Sequence, residues 1–263
     1  MEKKLEAFKR LLNIMDELRA KCPWDKKQTF DSLRANTIEE TYELCDAIMK
    51  KDTKEIKKEL GDVLLHIVFY SKIASETNDF DIADVCNSLC DKLIFRHPHV
   101  FGEGNAKSAG EVEQSWEQIK QKEKDGNKSV LAGVPDALPA LIKCYRIQDK
   151  ARNVGFDWKE KEDIWHKVEE ELNEFKDEVH AMNQEKMEEE FGDLLFSMIN
   201  AARLYKINPE NALERCNRKF IRRFNHIEKR TKEENKELSQ LSLEEMDAYW
   251  DEAKRIEREN IQS

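Results

Sequence analysis

Turn-making residues are scarce in this chain: its 263 residues include only 8 glycines and 5 prolines. With 38% of the residues charged, that shortage points to long amphipathic helices joined by few tight turns, and hence to an all-α fold. Basic residues are also in deficit, 45 Lys and Arg against 55 Asp and Glu, for a formal net charge of −10. That balance argues against a non-specific nucleic-acid binder, which needs a basic footprint to neutralise phosphates. It does not exclude a phosphate ester as ligand, provided divalent cations stand between the two sets of negative charge. The six cysteines (Cys22, Cys45, Cys86, Cys90, Cys144, Cys216) contain no CxxC and form no dense disulfide framework. They are read as reduced thiols, mostly buried. No apolar run is long enough to span a bilayer, and Met1 leads directly into charged residues without a signal peptide. A cytoplasmic protein without a membrane partner is the expectation.

What is present is a repeat. Glu39, Glu40 and Glu43, followed by Glu59 and Asp62, recur as Glu170, Glu171 and Glu174, followed by Glu190 and Asp193, every residue displaced by 131. With about one position in five acidic, five specified acids recur by chance with odds of roughly one in 2,500 at any given start. The neighbours repeat too, Gly61-Asp62-Val63-Leu64-Leu65 matching Gly192-Asp193-Leu194-Leu195-Phe196. A glycine inside a helix costs about 1 kcal/mol relative to alanine, so the pair implies close approach of a backbone or ligand.

The repeat divides the chain into residues 1–124, a Gly- and Pro-marked linker at 125–137, and residues 138–263. Leu5, Phe8, Leu11, Leu12, Met15 and Leu18 mark one face of a first helix, which Cys22-Pro23-Trp24-Asp25 interrupts. Capping boxes predict helix starts at Thr37 (with Glu40) and at Asp52 (with Glu55), giving an antiparallel hairpin. A helix over 81–95 ends at Arg96-His97-Pro98-His99, the stretch 102–110 reads as loop, and a further helix carries Trp116 and Lys120. The second half repeats the order. A helix runs up to Asn153, Gly155-Phe156-Asp157-Trp158 interrupts, and two acidic helices follow. Asn208-Pro209 opens the next helix, and Ser242 with Glu245 boxes the last, which bears Trp250 and Lys254.

Side chains three apart share a helix face, so Glu40 with Glu43 and Glu59 with Asp62 each form a carboxylate pair that a hairpin would bring together. Oxygen-only donors suit Mg²⁺, Mn²⁺ or Ca²⁺ over zinc. Lys219 and Arg223 lie four apart on one helix with Arg222 beside them, and Lys92 and Arg96 share the same spacing. Such cations opposite a carboxylate-held metal would clamp a polyphosphate.

EExxE, fifteen residues and ExxD, present twice and accompanied by CPWD, FRHPHVF, WEQIK and NVGFDW, resemble the MazG family of all-α nucleoside triphosphate pyrophosphohydrolases over nearly the whole chain. The resemblance implies two tandem helical domains in a four-helix-bundle-like arrangement completed by homodimerisation. It also implies Mg²⁺-dependent hydrolysis of nucleoside triphosphates to monophosphate and pyrophosphate. Carried onto this sequence, the metal ligands and catalytic acids would be Glu171, Glu174, Glu190 and Asp193, with a second, weaker set at Glu40, Glu43, Glu59 and Asp62. Nucleotide contacts would come from Lys167, Val168, Glu169, Glu170, Lys186, Glu188, Glu189, Lys219, Arg222, Arg223 and Trp250, with Arg96 reaching in from the other half or the other subunit. Metal ions would neutralise the phosphates and position a water for in-line attack on the α-phosphorus.

The copies differ in their bases. At the same displacement Lys167 corresponds to Asn36, Lys186 to Glu55, and Glu188 and Glu189 to Lys57 and Lys58. The second half is therefore expected to carry the chemistry. A di-iron carboxylate bundle, which wants Glu-x-x-His motifs, is disfavoured because His66 has Ser197 as its counterpart. A non-catalytic helical adaptor would show no dependence of stability on divalent cations.

Overall fold

A computed structural model of the chain describes residues 1–102, 119 and 129–262, with side chains through residue 259. The expected loop beyond Gly102, the helix of Trp116 and Lys120 and residues 125–128 of the linker lie outside the described residues. The chain forms two compact units, Met1–Glu111 and Val112–Ser263. Both are helical, with no strand among the described residues.

In the first unit α1 (Glu2–Lys21) packs on an antiparallel hairpin of α2 (Phe30–Lys50) and α3 (Thr53–Glu76), followed by α4 (Ile82–Arg96) and the single turn α5 (Pro98–Phe101). Met15, Leu33, Val68 and Phe69 form the core, and Phe8, Leu11 and Leu12 of the α1 stripe pack against it. Leu5 and Leu18 at the ends of that stripe stay exposed.

Helix α2 begins about two turns earlier than Thr37. A different box wins: the Thr29 hydroxyl accepts from the Ser32 N–H at 3.1 Å, and the Ser32 hydroxyl accepts from the Thr29 N–H at 2.8 Å. Serine at the third position replaces the usual Glu or Gln, which hid this start from pattern reading. Thr37 instead lies inside the helix, its hydroxyl donating to the Leu33 carbonyl at 3.0 Å. Asp52 does cap α3, accepting from the N–H groups of Lys54 and Glu55.

The second unit comprises α6 (Ala140–Arg152), α7 (Asp163–Ala181), α8 (Gln184–Leu204), α9 (Pro209–Glu233) and α10 (Leu243–Gln262). The pairs α7–α8 and α9–α10 each make extensive contacts. Ile164, Val168 and Ala201 seal the first pair, and Ile227, Leu241 and Tyr249 the second. Asn208 caps α9 ahead of Pro209, and the Ser242–Glu245 box opens α10 with both of its bonds made. The repeat extends to the hairpin turns: Lys51 after α2 and Met182 after α7 both take left-handed backbone, at φ 56° and 54°. Each turns the chain at a point where glycine is the usual residue.

The cysteines are not mostly buried. Cys45, Cys86, Cys90 and Cys216 are exposed, and Cys22 and Cys144 are half-buried. Cys86 and Cys90 lie four apart on α4, a helix with no fully buried residue, so their apolar character marks no core there. At Cys144 burial pushes the thiol pKa up to about 11. Among the described residues no helix is long and apolar enough to cross a membrane.

Candidate active site

Hairpin α7–α8 assembles the acids of the second unit. Glu171 and Glu174 share a face of α7, Glu190 faces them from α8, and one carboxylate oxygen of each lies within 4.8 Å of the other two. Glu171 is only 6% exposed. Burial, then repulsion from Glu174, Asp193 and Glu171, raises the pKa of Glu190 above the ordinary carboxylate value. Lys167, one turn before Glu171, places its ammonium 2.6 Å from Glu171 and 3.0 Å from Glu170. Those two carboxylates hold its pKa above the usual lysine value.

A cavity of about 630 Å³ opens beside this cluster, with Lys167, Glu171 and Asp193 in its lining. Its remaining walls are largely apolar and aromatic: Leu131, Ile147, Phe156, Trp158, Ile164 and Phe196. The segment between α6 and α7 folds over it, turning at Gly155 with φ 89°, a conformation that favours glycine. Arg203 of α8, 8% exposed, fixes that segment by a bidentate pair with Asp157, and it is braced by Asn200 Oδ1, which accepts from its Nη2 at 2.7 Å.

The first unit carries the same acidic geometry in different surroundings. One oxygen from each of Glu40, Glu43 and Glu59 lies within 4.8 Å of the others. Burial, followed by repulsion from Asp62, Glu43, Glu59 and Glu39, raises the pKa of Glu40. Glu59 is 3% exposed, and one of its oxygens, Oε2, is buried without a hydrogen-bond partner. The ammonium here comes from the other helix of the hairpin: Lys58 of α3 sits 2.7 Å from Glu59 and 4.0 Å from Glu43. His66 is buried, with Nδ1 3.1 Å from the Thr37 hydroxyl, while its counterpart Ser197 donates to the Leu194 carbonyl. No histidine joins either acidic triad.

The other site residues expected from sequence are dispersed. Val168 packs in the core with Ile164 and Ala201, while Glu169, Glu188 and Glu189 are exposed. Lys186 pairs with Glu178 at 3.5 Å. On α9–α10, Arg222 and Arg223 both engage Glu257, and the Arg223 guanidinium lies 5.3 Å from the Trp250 ring centroid. Trp250 packs against the core of that hairpin and on Phe220. Neither these residues nor Lys219 line the cavity. Arg96 closes α4 in the first unit, half-buried. Gly61 and Gly192 adjoin open space, with no protein atom within 4 Å of an added Cβ. Helix packing within either unit therefore does not demand them.

The cavity walls went unassigned at the sequence level. NVGFDW was visible as a motif, but nothing in its spacing tied Asp157 to Arg203, 46 positions away. Gln148 and Asn200 carried no signal.

An all-α chain with two acidic helix hairpins, one opening onto an aromatic-walled cavity, has oxygen donors of the kind that suit a hard divalent cation beside space for an organic ligand. Comparison with known proteins specifies the family. The MazG nucleotide pyrophosphohydrolase domain matches twice, at residues 28–101 and 159–228, and the chain belongs to this enzyme family. Nucleoside triphosphate pyrophosphohydrolase/pyrophosphatase MazG of Thermotoga maritima is 46% identical, over 94% of this chain and 95% of its own length. Nucleoside triphosphate pyrophosphohydrolase of Escherichia coli K12 is 43% identical, over 94% and 97%. Uncharacterized protein YabN of Bacillus subtilis is 46% identical over 95% of this chain, which spans 52% of that longer protein.

Proposed function

We propose that the chain hydrolyses nucleoside triphosphates, ribo or deoxy, to the monophosphate and pyrophosphate, and that the second unit performs the reaction with Mg²⁺. The observation that carries this reading is the Glu171–Glu174–Glu190 triad, which converges beside a cavity with a lysine at their junction. The activity itself is that for which the relatives from T. maritima and E. coli are named.

The residues fit a hard cation. The donors are all carboxylate oxygens, close enough together to be bridged, and Asp193 stands by to complete the set. In the first unit the orphaned Glu59 Oε2 supports the same reading. Glu171, Glu174, Glu190 and Asp193 would hold Mg²⁺, and Mn²⁺ suits the same oxygens. When bound, the ion supplies neutralisation of the triphosphate and of the developing charge, and makes water a better nucleophile.

The chain's own groups do the rest. Lys167, held at the boundary between acids and cavity, meets the phosphates as the first fixed positive charge. Lys186, Arg222 and Arg223, which pair with Glu178 and Glu257, would with Lys219 and with Arg96 of a second subunit exchange those partners for the polyphosphate if a second subunit came against the acids. A homodimer would serve that purpose. Phe191, Leu195 and Met198 of α8 and Phe220 and Ile221 of α9 are all more than 40% exposed, an apolar surface suited to a partner helix. In the first unit Lys58 bonds Glu59 and reaches toward Glu43, and the groove beside these acids is lined by further carboxylates, Glu39, Asp46 and Glu55, so that site would bind a polyphosphate–metal complex more weakly and turn over little or nothing.

Incubation of the pure protein with Mg²⁺ and a panel of NTPs and dNTPs tests the reaction. Monophosphate and pyrophosphate are expected in equal amounts; orthophosphate with a diphosphate would refute it.

A further inference from the structure

We propose that Glu257 is an internal stand-in for phosphate: it holds the guanidinium groups of Arg222 and Arg223, competes with polyphosphate for them, and so promotes the departure of the pyrophosphate product. This rests on the reading above in which the cations of α9 meet the polyphosphate.

Arg222 and Arg223 are neighbours on α9, and a single carboxylate of α10 spans them. Arg223 donates through both Nε and Nη2 to Glu257 Oε2, at 3.0 and 2.8 Å, and Arg222 donates through Nη2 to Oε1 at 3.3 Å. Two oxygens of one anion thus serve two guanidinium groups, an arrangement that a phosphate group can also satisfy. The Nε–Nη2 edge with which an arginine grips an oxyanion is taken by Glu257. Arg223 is otherwise prepared for such a ligand. Its side chain is 16% exposed, and its guanidinium lies 5.3 Å from the Trp250 ring centroid, so an aromatic face steadies it without using its N–H donors. Arg222, 61% exposed, is held by one long bond.

A carboxylate is a weak form of this ligand, since it brings one negative charge where pyrophosphate brings several. Burial pushes the Glu257 carboxyl up, but its bonds to Arg223 and the charges of both arginines outweigh this and hold its pKa below the ordinary value. The competitor is therefore ionised at neutral pH. With 27% of its side chain exposed, water takes up the carboxylate once it is displaced. Pyrophosphate makes fewer contacts than the intact triphosphate, so the returning carboxylate weighs more heavily against the product than against the substrate. A purely structural tie between α9 and α10 would act in the opposite sense: its loss would loosen the arginines and weaken polyphosphate binding.

Titration calorimetry with pyrophosphate at fixed Mg²⁺ separates the two. Glu257→Gln keeps the shape and one acceptor but removes the competing charge. Its dissociation constant for pyrophosphate is expected to fall about 10-fold, the weight of a charge-assisted pair discounted for its partial exposure. Glu257→Asp, too short to span both arginines, should bind about 3-fold more tightly and serves if the glutamine variant does not fold, which circular dichroism reports. In steady-state assays the inhibition constant of pyrophosphate should fall in parallel. Unchanged or weaker pyrophosphate binding in the folded Glu257 variants, while Arg223→Gln weakens it about 10-fold or more, overturns the stand-in role alone. Unchanged binding in a folded Arg223→Gln refutes it together with the reading beneath it, that these cations meet the polyphosphate.

Discussion

Removing the carboxylate of Asp157 should destabilise the second unit well beyond the loss of a surface ion pair. Arg203 carries its guanidinium on a side chain only 6% exposed, against 20% for Asp157, and the pair joins the segment after α6 to α8. In Asp157→Ala the charge stays buried with Asn200 Oδ1 as its remaining acceptor. Truncating one partner of a buried pair costs about 3–5 kcal/mol, most of it from the stranded charge. The partial exposure of Asp157 and the bond to Asn200 place the expectation at the low end, about 3 kcal/mol. For a unit of this size that corresponds to a fall of about 6–12 °C in its melting transition. Asp157→Asn, which keeps one acceptor, should lose about half as much. Combining Asp157→Ala with Arg203→Met should recover at least half of the loss, because no unpaired charge then remains. Scanning calorimetry reads the transition, and hydrogen exchange over residues 153–162 reads the release of the segment. A shift below about 1 °C in Asp157→Ala, with exchange unchanged, would refute the pairing argument.

Two further outcomes concern the acids. Glu171→Gln should lower kcat/KM for triphosphate hydrolysis at least about 100-fold, and Glu40→Gln less than about 3-fold, since only the second site adjoins the cavity; the reverse pattern in steady-state assays would reassign the chemistry to the first unit. Stability should respond to Mg²⁺ in a pH-dependent way. Glu190 and Glu40 have folded pKa values raised by burial and by their acidic neighbours. Their contribution to stability is thus complete below the unfolded carboxylate pKa, and it is lost as pH rises through the raised folded values. Mg²⁺ competes with those protons. With a dissociation constant of about 1 mM, about 10 mM Mg²⁺ should add about 1.4 kcal/mol, a few degrees in a thermal melt, near neutral pH and markedly less near pH 5. Equal shifts at both pH values would argue against carboxylate ligation.

The elements that sequence made legible are those specified by local chemistry. The α1 stripe, the Asp52 cap, Asn208-Pro209 and the Ser242–Glu245 box all depend on residues within one or two turns of each other. So does the acidic constellation, whose i, i+3 pairs need only a hairpin to converge. The α2 start was misplaced because two threonine-led boxes compete, and Thr29 wins with a serine that the usual pattern omits. The cavity was illegible for a different reason. It is made by contacts between α6, α8 and the GFDW segment, and the Gln148–Phe196 and Asp157–Arg203 bonds span 48 and 46 positions with no periodic trace. The basic residues of α9 were legible as a cluster but not in their engagement, since the acid that holds Arg222 and Arg223, Glu257, lies on another helix.

The ammonium groups explain how two copies with the same acids came to differ. Each triad gathers more negative charge than its surroundings tolerate, and each has a lysine against its most buried glutamate: Lys58 on Glu59 and Lys167 on Glu171. The lysines sit on opposite helices of the hairpin, Lys58 on α3 and Lys167 on α7, and neither is repeated in the other copy, where Asn36 and Glu189 stand instead. Position then decides their use. Lys167 precedes Glu171 by one turn and lines the cavity; on the proposed reading Glu171 would hold the cation, and the Lys167 ammonium would be available to phosphate at that place. Lys58 bonds the residue next to it and bridges toward Glu43 across the hairpin, which ties it to the acids themselves. Releasing it would leave the charge at a groove lined by Glu39, Asp46 and Glu55, a surface hostile to polyphosphate. On the proposed reading the same carboxylate frame would serve catalysis in the second copy and charge balance in the first, the position of the lysine and the cavity beside it together making the difference.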